Sequence, residues 1–303
     1  MPELPEVESV RRSLAPHIVG RQVRDVTIFR RDVCDLAPTT PTTPTKRRAA
    51  PTLPARLLSG VAIDRLERLG KQLAIIAHGG APIIRIHLGM SGQLLFLHGS
   101  PATLVPSVAD AERQHIHLAW SFDDGVMLFR DPRRFGGVLC LPDLGALAQE
   151  WSTLGPDGLT ISGADLLLRT GESRRVVKAA LLDQRVVAGV GNIYADEALF
   201  ASRIHPLTPC VQLNTQAWDR LAHAVRETLR IACEAGGSTL RDYVNADGQR
   251  GTQQMVLRAY GRGGLPCLHC GTPLEAFRVA QRATVACPCC QSYPERSQAF
   301  SRV

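Results

Sequence analysis

Two groups of residues in this 303-residue chain have types and spacings suited to chemistry. Toward the C-terminal end, Cys267-x2-Cys270 is followed after sixteen residues by Cys287-x2-Cys290. Two CxxC pairs at that separation suit a tetrahedral zinc site of four thiolates. Cys289 could replace Cys290, and His269 lies inside the first pair; the two-residue spacer of a metal knuckle favours the four cysteines first named. Four thiolates leave no open coordination position, so the implied cofactor is one structural Zn2+. The second group is N-terminal. Removal of Met1 would leave Pro2 with a free secondary amine, whose conjugate acid has a lower pKa than a lysine ammonium, so more of it is unprotonated at neutral pH. Such an amine can attack an aldehyde-like carbon and form an iminium ion. Glu3 and Glu6 lie beside it as candidate proton donors or acceptors.

The surrounding composition narrows the setting. Lys+Arg number 35 against 28 Asp+Glu, a net charge of +7. An excess of that sign suits a polyanionic partner, nucleic acid before membrane. Only three of the basic residues are lysines: Lys46, Lys71 and Lys178. Arginine is a planar, permanently charged fork and lysine a titratable point charge, so a lysine retained in an arginine-rich chain invites a specific role. Five of the nine cysteines fall between 267 and 290. The remaining four are scattered and read as ordinary buried thiols. With 45% hydrophobic and 21% charged residues, the chain reads as globular. No apolar run is long enough for a membrane span, and the acidic, proline-rich start lacks the marks of a signal peptide. A cytoplasmic protein is the expectation.

The elements that must hold these residues follow from periodicity. Val7, Val10, Leu14 and Ile18 trace one face of a helix over residues 5–18, with Pro5 in its first turn. Eight short apolar segments then suggest a β-sandwich or barrel. They are Val23–Phe29, Val61–Leu66, Leu73–Ala77, Ile83–Leu88, Gln93–Leu97, His115–Trp120, Val126–Phe129 and Gly137–Leu141. A Pro/Thr-rich stretch at 37–54 interrupts them and reads as a surface insertion without fixed structure. Farther on, a helix through about 176–187, a Gly-rich turn at 188–192 and a helix over 193–201 form a helical hairpin suited to nucleic acid. Trp218, Leu221, Val225, Leu229 and Ala232 mark a long helix ended by Gly236-Gly237. The last block, polar and Cys-rich, is too small for its own core and is expected to need metal. The expected domains are 1–148, 149–260 and 261–303.

Several motifs occur in order along nearly the whole chain: MPELPEVE at the start, HLGMSG (His87–Gly92), DPRRFGG (Asp131–Gly137), LGPD (Leu154–Asp157), GVGNIYADEALF (Gly189–Phe200) and QRAT (Gln281–Thr284) within the CxxC tail. Together they resemble the bacterial formamidopyrimidine-DNA glycosylases. Leu4 sets the chain nearer that branch than the endonuclease VIII branch. The resemblance implies an α+β multidomain fold: an N-terminal helix with a two-sheet β-sandwich, then a helix–two-turn–helix domain with a C-terminal zinc β-hairpin. It implies excision of oxidised purines, 8-oxoguanine and formamidopyrimidines, from duplex DNA, followed by strand cleavage at the abasic site, by a monomer.

The resemblance also assigns roles. Pro2 attacks C1′ of the damaged nucleotide, Glu3 protonates the opening deoxyribose, and Glu6 places the amine. Lys71 and Arg282 belong with this catalytic set and, with Asn192, grip phosphate. Met90, Arg133 and Phe135 fill the gap left by the extruded nucleotide. Without the motif, Met90 and Phe135 would read as core. Lys178 is expected near the damaged base, and His115 and Arg174 at weaker DNA contacts. Arg134 reads as a phosphate or structural contact, and His117 equally as a DNA contact or a satisfied strand histidine. The 37–54 insertion is longer than the family pattern. Gly248–Gln254 lies where the flipped base is capped but carries Thr252 and Gln253 in place of a common aromatic. Oxidised-pyrimidine specificity and a catalytically silent DNA-binding zinc protein are the alternatives; intact Pro2, Glu3, Glu6 and Lys71 oppose the second.

Overall fold

The structure is a computed structural model and describes residues 2–36, 53–239 and 243–293. Most of the 37–54 insertion therefore lies outside the described residues. Two compact units are present. The first comprises Met1–Thr153 with Ala235–Thr252, and the second Leu154–Glu234 with Gln253–Val303.

The first unit opens with helix α1 (Leu4–Ile18), one residue longer than its apolar periodicity indicates. Strands β1 (Asp25–Ile28) and β2 (Cys34–Leu36) and the short helix α2 (Leu53–Arg56) follow. Then come β3 (Ile63–Leu69), β4 (Gln72–Ala77), β5 (Ile83–His87) and β6 (Gln93–His98). Helices α3 (Pro101–Leu104) and α4 (Val108–Gln114) precede β7 (Ile116–Phe122), β8 (Gly125–Arg130), β9 (Gly137–Leu141) and α5 (Leu144–Trp151). The strands form a four-stranded sheet, β1-β7-β8-β6, and a five-stranded sheet, β2-β9-β5-β4-β3. All eight expected strands are present, with ends shifted by a residue or a few. The ninth, β2, pairs in parallel with β9.

The apolar face of α1 enters one core with residues of both sheets, among them Ile75, Ile84 and Ile86 of one and Phe96, Trp120 and Phe129 of the other. The outer faces are covered too. Leu147 of α5 packs on Ala74, Ile76 and Ile83, and Ala111 of α4 packs on Ile116, Ala119 and Val126. A sheet buried on both faces needs continuous apolar strands rather than alternating ones. That is why β4, β5 and β7 read as nearly unbroken apolar runs.

The second unit contains α6 (Gly163–Thr170), α7 (Val177–Leu182), α8 (Asn192–Ser202), α9 (Thr215–Glu234) and a hairpin of β10 (Glu275–Val279) and β11 (Arg282–Ala286). The turn between α7 and α8 is fixed by Gln184, which donates to Val190 O and accepts from Gly189 N, both at 2.9 Å. The LGPD segment braces it from outside, with Ala188 N donating to Pro156 O. Gly236 and Gly237, both at positive φ, follow the end of α9. The hairpin shares a small core with α8: Phe200 packs with Leu274, Val285, Cys267 and Cys287. Apolar support thus supplements the metal site. No described helix is long and apolar enough to cross a membrane.

Candidate active site

The N-terminal carboxylates are built into the start of α1. Glu3 is its N-cap, in extended conformation, and Glu6 occupies the third helical position. They form a reciprocal capping box, in which Glu3 N donates to Glu6 Oε2 at 2.7 Å. Glu6 Oε1 accepts a second amide, Ser238 N, also at 2.7 Å. Both residues are buried, at 3% and 2% exposure. Gly237 approaches so closely that a Cβ there would fall 2.8 Å from Glu6 Oε1. The arrangement fixes the backbone that carries Pro2 rather than leaving a frayed terminus.

Lys71 stands in a two-residue turn closing the β3–β4 hairpin, where Leu69 pairs with Gln72. Gly70 supplies the positive φ, +56°, that such a turn requires. Arg68 ties this turn to α1. Its Nη1 donates to Gly70 O at 3.0 Å and its Nε to Glu8 Oε2 at 3.1 Å. Glu8 also accepts from Arg11 and Arg12. Burial pushes the Glu8 carboxyl up, but these guanidinium hydrogen bonds outweigh it and hold the group at about 2. One ion-pair cluster therefore joins the helix bearing Pro2, Glu3 and Glu6 to the turn bearing Lys71. In sequence Glu8 reads only as an acid suited to the positive end of α1, and Arg68 carries no signal of this contact.

The HLGMSG and DPRRFGG loops are locked together. Asp131 is fully buried. It accepts from Ser91 Oγ at 2.6 Å and Gly136 N at 2.7 Å. A Cβ on Gly89, φ +59°, would fall 2.3 Å from Phe135 C, so glycine is needed for the backbones to touch. Held this way, Met90 and Phe135 are 41% and 58% exposed, which rules out the core reading. The Arg133 guanidinium lies 5.4 Å above the Phe135 ring. Apolar wedges beside an exposed arginine are suited to filling a gap in a base stack. His115 is exposed and left-handed at the end of α4, and its carbonyl accepts from Asp131 N. His117 is buried with Nε2 2.9 Å from Asp131 O, which makes it a satisfied strand histidine. Arg134 is exposed at φ +56°.

The second unit holds Arg174, Lys178, Asn192 and Arg282. Arg282 is exposed at the start of β11, after the two-residue turn Ala280-Gln281. Asn192 opens α8, and its Nδ2 donates to Ala283 O at 2.9 Å. Helix start and hairpin tip are thus joined through the residue after Arg282. Arg174 is exposed just before α7. Lys178, the residue expected near the damaged base, is held inside the second unit. It is 0% exposed, and its Nζ lies 2.6 Å from Asp196 Oδ1 while donating to Thr284 Oγ1 and Ala283 O. Burial raises Asp196 to about 6, against the pull of the Lys178 ammonium. Asp196 Oδ2 accepts from Val285 N. Lys178 and Asp196 therefore clamp β11 to α7 and α8. Asp196 went unnoticed because its acid lies within an apolar helix, where the sequence does not show which basic residue meets it.

The hairpin cysteines converge. The Sγ atoms of Cys267, Cys270, Cys287 and Cys290 all lie within 4.8 Å of one another. Cys270 to Cys287 is 3.5 Å and Cys267 to Cys290 is 4.0 Å. Zinc–thiolate bonds of about 2.3 Å at tetrahedral angles place sulfurs ~3.8 Å apart, so the donor set fits zinc. His269 N and Cys290 N donate to Cys267 Sγ and Cys287 Sγ, a pattern that supports thiolate ligands. The cluster excludes Cys289, which is exposed. His269 Nε2 instead meets Arg203 Nη2 at 2.6 Å. Bound zinc would hold the two knuckles and carry no reaction step.

A β-sandwich entered by an acidic proline-led helix, a helical hairpin and a four-cysteine finger define the class of zinc-finger DNA glycosylases with a helix–two-turn–helix domain. Known proteins agree. Family profiles match the formamidopyrimidine-DNA glycosylase N-terminal domain over residues 1–138, its H2TH domain over 154–244, and the zinc finger found in FPG and IleRS over 264–292. The formamidopyrimidine-DNA glycosylases of Paraburkholderia phymatum and Stenotrophomonas maltophilia are 42% and 40% identical, each alignment covering 96% of this chain and 100% of the relative. The crystal structure of Thermus thermophilus MutM (Fpg) superposes with TM-score 0.77 at 38% identity, covering 96% of this chain and 98% of that one. The Lactococcus lactis Fpg in complex with abasic-site DNA gives 0.80 at 29%, covering 96% and 100%. The chain belongs to the formamidopyrimidine-DNA glycosylase family.

Proposed function

We propose that this protein removes oxidised purines, 8-oxoguanine and formamidopyrimidines, from duplex DNA and then cleaves the strand as an abasic-site lyase. The observation that carries the reading is the buried Glu3–Glu6 box at the proline-led start of α1, beside the turn that carries Lys71. A base inside a duplex hides its C1′, so the nucleotide must first leave the stack. Met90 and Phe135 suit the vacated space, and Arg133 can donate to the orphaned partner base. After Met1 is removed, the Pro2 nitrogen lone pair attacks C1′ and the C1′–N9 bond breaks, its electron pair leaving with the base. Glu3 supplies a proton to the ring oxygen as the deoxyribose opens to the iminium. The iminium acidifies C2′–H; loss of that proton expels the 3′ phosphate, and a second elimination expels the 5′ phosphate. Lys71 has the charge and placement to assist these eliminations. Glu6 orients the helix start.

Asn192, Arg282, Arg174 and His115 serve as phosphate or backbone contacts in this reading, and Lys178 acts indirectly by holding the hairpin. The protein works as a single chain with one structural zinc. A lesion panel tests the substrate class. Duplexes carrying 8-oxoguanine or a formamidopyrimidine opposite cytosine are expected to be cut at least tenfold faster than an oxidised-pyrimidine duplex, more than about 1.4 kcal/mol in transition-state discrimination. The reverse order would assign the pyrimidine specificity instead.

A further inference from the structure

Segment 243–249 lies against α1 and has no role in the mechanism above. Tyr243 Oη donates to Glu6 O at 3.1 Å. Ala246 N donates to Ser13 Oγ at 2.9 Å. Asp247 Oδ1 stands 2.7 Å from His17 Nε2. The segment therefore follows α1 from its first turn to its last.

Its far end is built as a plug. Asn245 Oδ1 accepts from both Asp247 N and Gln249 N, and Gly248 takes φ +76°. This turn presents Asp247 in one orientation. Ala246, 1% exposed, is seated between two elements: besides its bond to Ser13, its carbonyl accepts from Phe96 N at 2.9 Å. Phe96 lies on β6, an edge strand, so the plug satisfies part of an otherwise open sheet edge. The His17 ring stacks on Phe96 with centroids 4.7 Å apart and planes 6° apart, and His98 meets both rings edge-on. Stacking leaves His17 little freedom except to face Asp247.

The near end is where the reaction is placed. Ser238 N is bonded to Glu6 Oε1, Gly237 packs directly on that carboxylate, and Tyr243 bonds the Glu6 carbonyl. The same loop closes on itself through Gly251 N to Thr239 Oγ1 and Thr252 N to Ala235 O. A shift of the plug along α1 would move the donors that hold Glu6.

We propose that the His17–Asp247 pair is a buckle that positions Glu6, making both residues positioning residues for the chemistry at Pro2; this rests on the reading of Pro2 and Glu6 given above. The test uses full-length, N-terminally processed protein and single-turnover cleavage of 8-oxoguanine duplex, with borohydride trapping alongside. His17→Ala and Asp247→Ala are each expected to lower the single-turnover rate about tenfold, with half-saturating DNA concentration changed less than twofold. The double variant is expected to be no slower than the worse single variant, because both remove one interaction. Asp247→Asn, which keeps the side-chain shape and an acceptor for His17, is expected to recover most of the lost rate. Single variants within twofold of wild type, full additivity in the double variant, or equal loss in Asp247→Asn and Asp247→Ala would each overturn the buckle. Failure of the unaltered protein to trap would instead overturn the reading on which it rests.

Discussion

Lys71 and Lys178 are the two lysines within the described residues, and burial separates their roles. Both are largely shielded, but Lys71 lies on a tight turn tied to α1, whereas Lys178 is sealed between α7, α8 and β11. Removing one member of a buried pair strands the other charge, commonly at a cost of about 3–5 kcal/mol. Lys178→Met is therefore expected to lower the melting temperature and slow lesion excision through a displaced Arg282, and adding Asp196→Leu to restore most of the stability. A Lys178→Met protein as stable as wild type would contradict the clamp. Glu8 carries a pH signature. Its folded value is depressed, so its stabilisation is complete above the ordinary glutamate range and fades as pH falls from about 4.5 toward 2. Glu8→Gln should flatten acid unfolding across that window, as followed by circular dichroism. An unchanged acid transition would remove Glu8 from the stabilising cluster. The candidate residues were legible mostly through motif order. Their hidden partners, Arg68, Asp131, Asp196 and Ser238, were not, because a buried polar contact depends on which distant segment supplies the other half.

At the scale of elements, sequence was most informative where one face or a continuous run is apolar. Helix α1, the long α9 and eight strands met that condition. Strand β2 did not: three residues, Cys34, Asp35 and Leu36, carry no periodicity, and their pairing with β9 joins segments about a hundred residues apart. Helix α4 is short and largely polar, with Ala111 its buried contact to the sheet. The hairpin is expected from sequence to need metal, and Phe200 of α8 and the Lys178 clamp add to what holds it. Zinc chelation should therefore loosen the cysteine knuckles without unfolding the β-sandwich, whose core contains none of the four ligands. DNA affinity should fall severalfold while most far-ultraviolet circular dichroism survives. Loss of all structure on chelation would contradict that division.

For the whole molecule, the +7 charge pointed only to a polyanion. Family membership and the exposed set of Arg133, Phe135, Arg174 and Arg282 make damaged duplex DNA the partner that fits. Division into units was less legible. Residues Ala235–Thr252 follow the long helix in sequence yet fold with the first unit, where they hold Glu6. Local patterning cannot reveal such a return, since hydrogen bonds across more than 230 positions set it. The central claim concerns one nitrogen atom. Borohydride reduction during reaction with an 8-oxoguanine:cytosine duplex measures it most directly. Processed protein is expected to give a covalent protein–DNA adduct, reduced at least a hundredfold by Pro2→Gly and by an N-terminal extension that turns the amine into an amide, a loss of about 2.7 kcal/mol or more. An adduct undiminished by either change, or none with the unaltered protein, would contradict Pro2 as the nucleophile.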